Sequence, residues 1–374
     1  MKIKVEKENI LRGIQIVQKA ISPKSTLPIL SNLLLDTQKN RLNLFCTDLE
    51  LGINTNIPAN VIRPGSISIP VKRLGDIVKE LPDEEILLEV TKNQMEIECK
   101  KSFFKIYGLP KEEFPKTPIF KEDKNFLLPQ ETLKKIIKKT SFSVSFNETR
   151  YVLNGLYFKV EKSTLIVVGT DGRRLACVFN KLKENKGNNF SFIIPIKAVQ
   201  ELAQVLNDEE SDIVMKLGEN QISCQIPSSF GLGEINLTSR LIEGNYPNYE
   251  QVIPKELTKK IKINREELLT ATRRAAILTS EKTNSVKLNF SPQGKLIISA
   301  NTPEIGEAKE EIDIPYKGED LSIAFNPYFI IDILKNIESE EIIFGLNNSL
   351  SPGVIQPEEK KEEYICVIMP MRLS

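Results

Sequence analysis

The chain contains no histidine. A Ser-His-Asp triad, a Cys-His pair, a His-ligated zinc and an imidazole acid–base are therefore excluded. Lysine, carboxylates or magnesium can still carry catalysis, so enzyme chemistry is disfavoured rather than eliminated. Cysteine is sparse and scattered: Cys46, Cys99, Cys177, Cys224 and Cys366, with no CxxC pair. Each sits in an apolar or alternating run (FCTD, IECK, LACV, ISCQ, YICV), which reads as thiols buried in strands. No apolar run approaches the roughly 18 residues of a membrane helix. The opening MKIKVEKEN lacks the apolar centre of a signal peptide, so the expected location is the cytoplasm, with no membrane partner. No motif calls for a metal or a cofactor. Neither sign of charge dominates either: 51 basic residues face 50 acidic ones, a net +1. Such a sum argues against a nucleic-acid partner only weakly, because recognition depends on where charge sits.

What remains is 374 residues, 40% hydrophobic and 27% charged, a soluble globular composition with room for two or three cores. An internal repeat organises them. Three segments open alike: KIKVEKENILRGIQIVQKAI from Lys2, NFLLPQETLKKIIKKTSFSV from Asn125 and KIKINREELLTATRRAAILT from Lys260. Each reads as a short alternating strand followed by an amphipathic helix. Ile10, Leu11, Ile14, Val17 and Ile21 form one apolar stripe, and Leu133, Ile136 and Ile137 another. Midway through each third the pattern recurs in SISIPVKRLGDIVKEL, SFIIPIKAVQELAQVL and SIAFNPYFIIDILKNI. Proline stands at or near each helix start, where its missing N–H costs nothing. The spacing predicts helices over 8–21, 71–81, 130–140, 195–206, 264–278 and 327–337. It also predicts three similar α+β domains, 1–124, 125–258 and 259–374, each two half-repeats of helix plus antiparallel sheet, joined by polar, proline-bearing linkers.

The six expected helices hold fourteen lysines and arginines against eight acidic residues, so the remainder of the chain is net negative. Lysines on an amphipathic helix ordinarily make a solvated face. Six equivalent helices sharing one face would instead make that face positive, able to attract a phosphate backbone without reading sequence. No cluster of surface aromatics points to stacking on single-stranded bases, so duplex is the expected form.

The stretch TDGRRLA, 170 to 176, raises the question of a phosphate site. A phosphate cradle needs a glycine-rich loop entering a helix. Here the next segment is strand-like and the turn has one glycine, so the residues read as a hairpin: LIVVGT, an Asp171-Gly172 turn, then RLACVF.

These pieces together are specific. TLPILSNLLL (26–35), TDLE (47–50), RYVLNGLYF (150–158), TDGRRLA, NYPNYEQVIP (245–254), RAAILTSEK (274–282) and YICVIMPMRL (364–373) resemble the bacterial sliding clamps, the beta subunits of replicative DNA polymerase III, over essentially the whole chain. The resemblance implies the DNA-clamp fold: a homodimer closed head to tail into a ring, helices inside and sheets outside. Its function would be non-catalytic, encircling duplex DNA and conferring processivity on the polymerase. Implied partners are the polymerase III alpha subunit, the clamp loader, and other polymerases and repair proteins carrying a short apolar peptide. For that peptide the resemblance implies a pocket of Leu153, Thr170, Gly172, Arg173, Arg174, Leu175, Pro247, Val252, Val367, Met369, Pro370, Met371, Arg372 and Leu373. Methionine adapts to varied partners, and arginine stems cover apolar surface with their charge in water.

For DNA the resemblance implies Lys24, Lys72, Asn147, Arg150, Tyr151, Val152 and Lys197. The implied dimer seam brings Phe104 and Ile106 to Ile277 and Leu278. Four positions depart from relatives. Lys24 stands where arginine occurs, Val152 where tyrosine can occur and Gln251 where arginine lies beside the pocket, while Ser374 extends the usual ending. Two alternatives stand beside this reading: a phosphate-ester enzyme using Asp171, Arg173 and Arg174, and a DNA-free adaptor using the same pocket. Magnesium-dependent hydrolysis would mark the first. Indifference to charge reversal at Lys72 and Lys197 would mark the second.

Overall fold

The computed structural model describes residues 1–21, 27–115, 120, 124–146, 149–182, 189–208, 210–228, 231–280, 284–303, 305–359 and 363–372. Among the described residues six α-helices form where the sequence predicts them: α1 Lys7–Val17, α2 Val71–Glu80, α3 Gln130–Ser141, α4 Ile196–Val205, α5 Arg265–Ala276 and α6 Pro327–Lys335. The first is shorter than its stripe, because Gln18–Ala20 tightens into a 3₁₀ turn. Pro70 is the N-cap of α2, and Pro327 opens α6 just after Asn326, whose side chain accepts from the Tyr328 N–H. Asn264 caps α5 by accepting from the N–H groups of Glu266 and Glu267 at 3.0 and 3.1 Å.

The described chain divides into two compact units, 1–134 with 197–241 and 135–196 with 242–374. In the first unit, one sheet has five strands in the order Asn60–Arg63, Lys2–Glu6, Glu85–Thr91, Gln94–Cys99, Ser102–Tyr107. Its other sheet has eight: Lys124–Pro129, Asp212–Leu217, Gln221–Ile226, Ile235–Arg240, Leu51–Pro58, Arg41–Thr47, Asn32–Gln38, Ser66–Pro70. The second unit repeats the plan. An eight-stranded sheet runs Phe190–Pro195, Gly155–Glu161, Thr164–Thr170, Arg174–Lys181, Glu363–Ile368, Gly353–Pro357, Glu341–Leu346, Lys259–Asn264. A four-stranded sheet runs Gly306–Asp313, Lys295–Thr302, Val286–Ser291, Leu321–Phe325. The middle third thus contributes one half to each unit, and its strands continue the sheets of its neighbours in sequence.

Each core lies between sheet and helices. Ile10, Ile14 and Val17 of α1 are buried with Leu42, Leu44, Ile53 and Ile57 of the sheet. The approach is close: a Cβ on Gly13 would lie 3.1 Å from Leu44 and 3.3 Å from Ile57. Fully burying each such side chain contributes about 1.5–3 kcal/mol. All five cysteines are buried, and burial pushes the Cys224 and Cys366 thiols up to about 12, so they are inert. One helix cation departs from the solvated-face expectation. Lys139 is buried near the end of α3, its ammonium 5.7 Å from the centre of the Tyr364 ring, and the Tyr364 hydroxyl donates to the Lys139 carbonyl at 2.8 Å.

Candidate peptide pocket, helix cations and sheet edges

Strands Thr164–Thr170 and Arg174–Lys181 pair antiparallel with Thr170 opposite Leu175. The turn between them is locked from within. The Asp171 carboxylate accepts from the backbone N–H groups of Arg173 and Arg174, both at 2.9 Å. The Thr170 hydroxyl donates to the Arg174 carbonyl at 2.6 Å and accepts from the Gly172 N–H at 3.1 Å. These side-chain bonds supply partners that a tight turn leaves without one. Gly172 has φ +82, the left-handed region that glycine enters without cost.

Leu175 lies opposite Val367 in strand Glu363–Ile368, and the Met369 N–H donates to the Arg173 carbonyl at 2.9 Å, so the end of the chain is tied to the turn. Thr170, Gly172, Arg173, Arg174, Leu175, Val252, Val367 and Met369 surround a cavity of about 50 Å³. Leu175 and Val367 are buried at its floor, while Val252 and Met369 are exposed at its rim. Behind it, Tyr157 and Tyr246 stack with ring centres 4.7 Å apart, and Tyr249 and Cys177 complete a buried cluster that holds the segment bearing Val252. Of the remaining residues expected there, Leu153 is buried in the 3₁₀ turn Tyr151–Leu153 and Pro247 is exposed. Pro370 and Met371 are half-buried, with the Met371 N–H donating to the Ala324 carbonyl at 2.7 Å, and Arg372 is exposed. Leu373 and Ser374 lie outside the described residues.

The turn's cations differ in kind. Arg173 is exposed and has no ion pair among the described residues. The Arg174 guanidinium is confined. Its Nε donates to Asp171 at 3.1 Å and its Nη1 to Asp332 of α6 at 2.6 Å. The rings of Phe329 and Phe142 lie 4.6 and 5.6 Å away. Nothing local in the sequence marks Asp332, Phe329 or Phe142, and the hairpin reading missed them.

Of the residues expected to meet DNA, Lys24 and Asn147 lie outside the described residues. Lys72 is exposed on α2 beside exposed Arg73 and Lys79, and none of the three has an ion pair among the described residues. Lys197, on α4, is held by Asp48 in an ion pair. Arg150 and Tyr151 are exposed and Val152 is half-buried. The Arg150 guanidinium lies over Gly172, where an added Cβ would sit 2.6 Å from its Nη2. Elsewhere the helix cations are partly neutralised by Arg12–Glu8, Lys134–Asp208 and Arg274–Glu310 pairs.

Strand Ser102–Tyr107 is one edge of the five-stranded sheet, and Gly306–Asp313 is one edge of the four-stranded one. Phe104 is 38% exposed and Ile106 half-buried on the first. Ile277, just past α5, is 74% exposed, with Leu278 half-buried beside it. The first edge also shows Phe103 and Tyr107 on its opposite face, 56% and 69% exposed, an aromatic patch that reading the sequence did not anticipate. The strand's alternation was the available signal.

Comparison with known proteins agrees over the full length. Sequence models of the DNA polymerase III beta subunit match in order: the N-terminal domain at residues 1–118, the central domain at 127–248 and the C-terminal domain at 250–372. The beta sliding clamp of Chlamydia pneumoniae is 34% identical over 374 residues, covering all of this chain and 99% of that one. The crystal structure of the DNA polymerase III subunit beta from Pseudomonas aeruginosa superimposes with a TM-score of 0.94 at 33% identity, and a Bacillus subtilis sliding clamp with 0.94 at 31%, each covering 100% of both chains. With its three-domain α+β clamp fold and antiparallel sheets, the chain belongs to the DNA polymerase III beta subunit family, the beta sliding clamps, which are non-catalytic processivity factors of DNA replication.

Proposed function

We propose that two copies of this chain close head to tail into a cytoplasmic ring around duplex DNA. The observation that carries this reading is a pair of sheet edges, one in each unit, with bulky apolar groups exposed on the first and beside the second. Exposed edges invite pairing with another chain, and proteins normally blunt them. Edge Ser102–Tyr107 presents Phe104 and Ile106, while the region of edge Gly306–Asp313 presents Ile277 and Leu278. Pairing one edge with the other generates a heterologous contact, and two such contacts close a ring. Within it, Lys24, Lys72, Asn147, Arg150, Tyr151, Val152 and Lys197 are the DNA-facing set. Lys72, with Arg73 and Lys79, supplies cations that have no ion pair among the described residues, whereas Lys197 must exchange Asp48 for a phosphate. Such contacts are sequence-blind, and their affinity falls with salt. Enclosure makes weak binding sufficient.

The pocket at 170–175 then takes a short apolar peptide from the polymerase alpha subunit, the clamp loader, or other polymerases and repair proteins. Relatives from Pseudomonas aeruginosa and Bartonella birtlesii have been crystallised bound to griselimycin, so that compound is a ligand to test on this chain. Solution mass is the first test: two chains are expected, and Ile277→Asp with Leu278→Asp should give one. Ring retention is the second. Protein loaded on circular DNA should leave when the circle is cut, and protein that stayed bound would overturn enclosure.

A further inference from the structure

We propose that Asp332 is a positioning residue for the peptide pocket: from outside it, and acting through Arg174, Asp332 fixes the turn that forms the pocket wall. The inference rests on the pocket reading above. Arg174 counts among the wall residues, yet its guanidinium is already engaged. Two carboxylates, Asp171 at 3.1 Å and Asp332 at 2.6 Å, hold its Nε and Nη1, and its side chain is only 12% exposed. The rings of Phe329 and Phe142 flank it at 4.6 and 5.6 Å.

A planar fork held at two ends is rigid, and lysine could not reproduce it. Asp171 is the shared element. One of its oxygens accepts the Arg173 and Arg174 N–H groups that shape the turn, and its other oxygen takes the Arg174 Nε. A chain of charge-assisted bonds therefore runs from α6 through Asp332 and Arg174 into Asp171 and the backbone at the cavity wall. Leu175 and Val367, the cavity floor, follow in register. With the Asp332 carboxylate gone, Arg174 keeps one anchor, Asp171 is pulled by an unrestrained cation, and the wall loses its fixed shape. Preorganisation of that kind is spent as affinity.

The test measures binding of a fluorescein-labelled synthetic octapeptide with adjacent leucine and phenylalanine to the full-length chain. Asp332→Ala should weaken binding about tenfold, the scale of one charge-assisted hydrogen bond. Asp332→Glu should restore most of it, and Asp332→Asn should fall between. In an Arg174→Ala background, Asp332→Ala should add almost nothing, since both act along one path. Solution mass and thermal midpoint control for folding. If the alanine variant does not fold, the asparagine and glutamate variants carry the comparison. Parental affinity in Asp332→Ala, or full additivity with Arg174→Ala, overturns the inference. Removal of residues 369–374 separates the two ideas: peptide binding that survives it sinks the pocket itself, whereas loss there with no effect at Asp332 sinks only the positioning role.

Discussion

The turn at Asp171 has a twin. In the first unit, Thr47-Asp48-Leu49-Glu50-Leu51 repeats the same bonds. Asp48 accepts from the N–H groups of Glu50 and Leu51 at 3.0 and 2.8 Å, and the Thr47 hydroxyl donates to the Leu51 carbonyl at 2.9 Å. Gly52 lies opposite Thr238, as Leu175 lies opposite Val367. The scaffolds match and the furniture differs. Where one turn has Gly172, the other has Leu49 at φ +79, half exposed over its own cavity of about 30 Å³. Leu175, Val367 and Met369 are replaced in position by Gly52, Thr238 and Arg240, and Arg240 is paired with Glu50. The comparison teaches that the turn alone does not make the proposed pocket. That pocket also needs an apolar floor and an unfilled centre, and the second unit has both.

The largest expected effect breaks the comparison outright. Deleting Met369–Ser374 should remove measurable peptide binding while leaving the proposed dimer's mass unchanged, because the deleted segment belongs to neither Ser102–Tyr107 nor Gly306–Asp313. Next, Gly172→Leu should make the second turn like the first. A leucine there must displace the Arg150 guanidinium, 2.6 Å from its Cβ, at the mouth of the cavity, and takes on a left-handed backbone at a cost of about 1–2 kcal/mol. Peptide affinity should fall roughly a hundredfold or more, the scale of about 3 kcal/mol, by fluorescence anisotropy. Sharpening it in reverse, Leu49→Gly with Thr238→Val and Arg240→Met should create a second weak site, seen in titration calorimetry as a rise from one peptide per chain towards two. Leu49→Gly alone should change stability by only about 1 kcal/mol, because relief of positive φ offsets lost burial.

The smallest effect lies at the Arg274–Glu310 pair. The hydrogen bond from Arg274 holds the Glu310 carboxyl below its ordinary value. A depressed carboxyl stabilises the fold above its unfolded pKa, and that contribution disappears as pH falls through the folded value. Glu310→Gln should therefore flatten the acid limb of the thermal midpoint below about pH 4.5 and leave the neutral range nearly unchanged, since exposed pairs contribute little.

Much of the fold was legible because it is written in periods. The stripes at Ile10, Ile14 and Val17 and at Leu133, Ile136 and Ile137 are buried as their spacing requires. The Asp171-Gly172 hairpin follows from a turn whose side chains are its own hydrogen-bond partners. The rest has no period to read. Arg174 meets Asp332 across 158 residues, and Lys197 meets Asp48 across 149, so neither partner is marked by spacing. Lys139 sits on a helix face that looks solvated, yet it is buried, with the distant Tyr364 ring beside its ammonium. The duplication of TD in TDLE and TDGRR was visible in the letters. That one copy is occupied by its own leucine emerges only with the backbone angle.

The sheets also say how the molecule should come apart. Strand Ile235–Arg240 is zipped to Leu51–Pro58, and Arg174–Lys181 to Glu363–Ile368. A fragment cut at the repeat boundaries, such as 125–258 alone, would carry two raw strand flanks and should clump rather than fold cleanly. The repeats are stitched like planks sharing a tongue and groove, so damage in one third propagates to the next before the chain lets go.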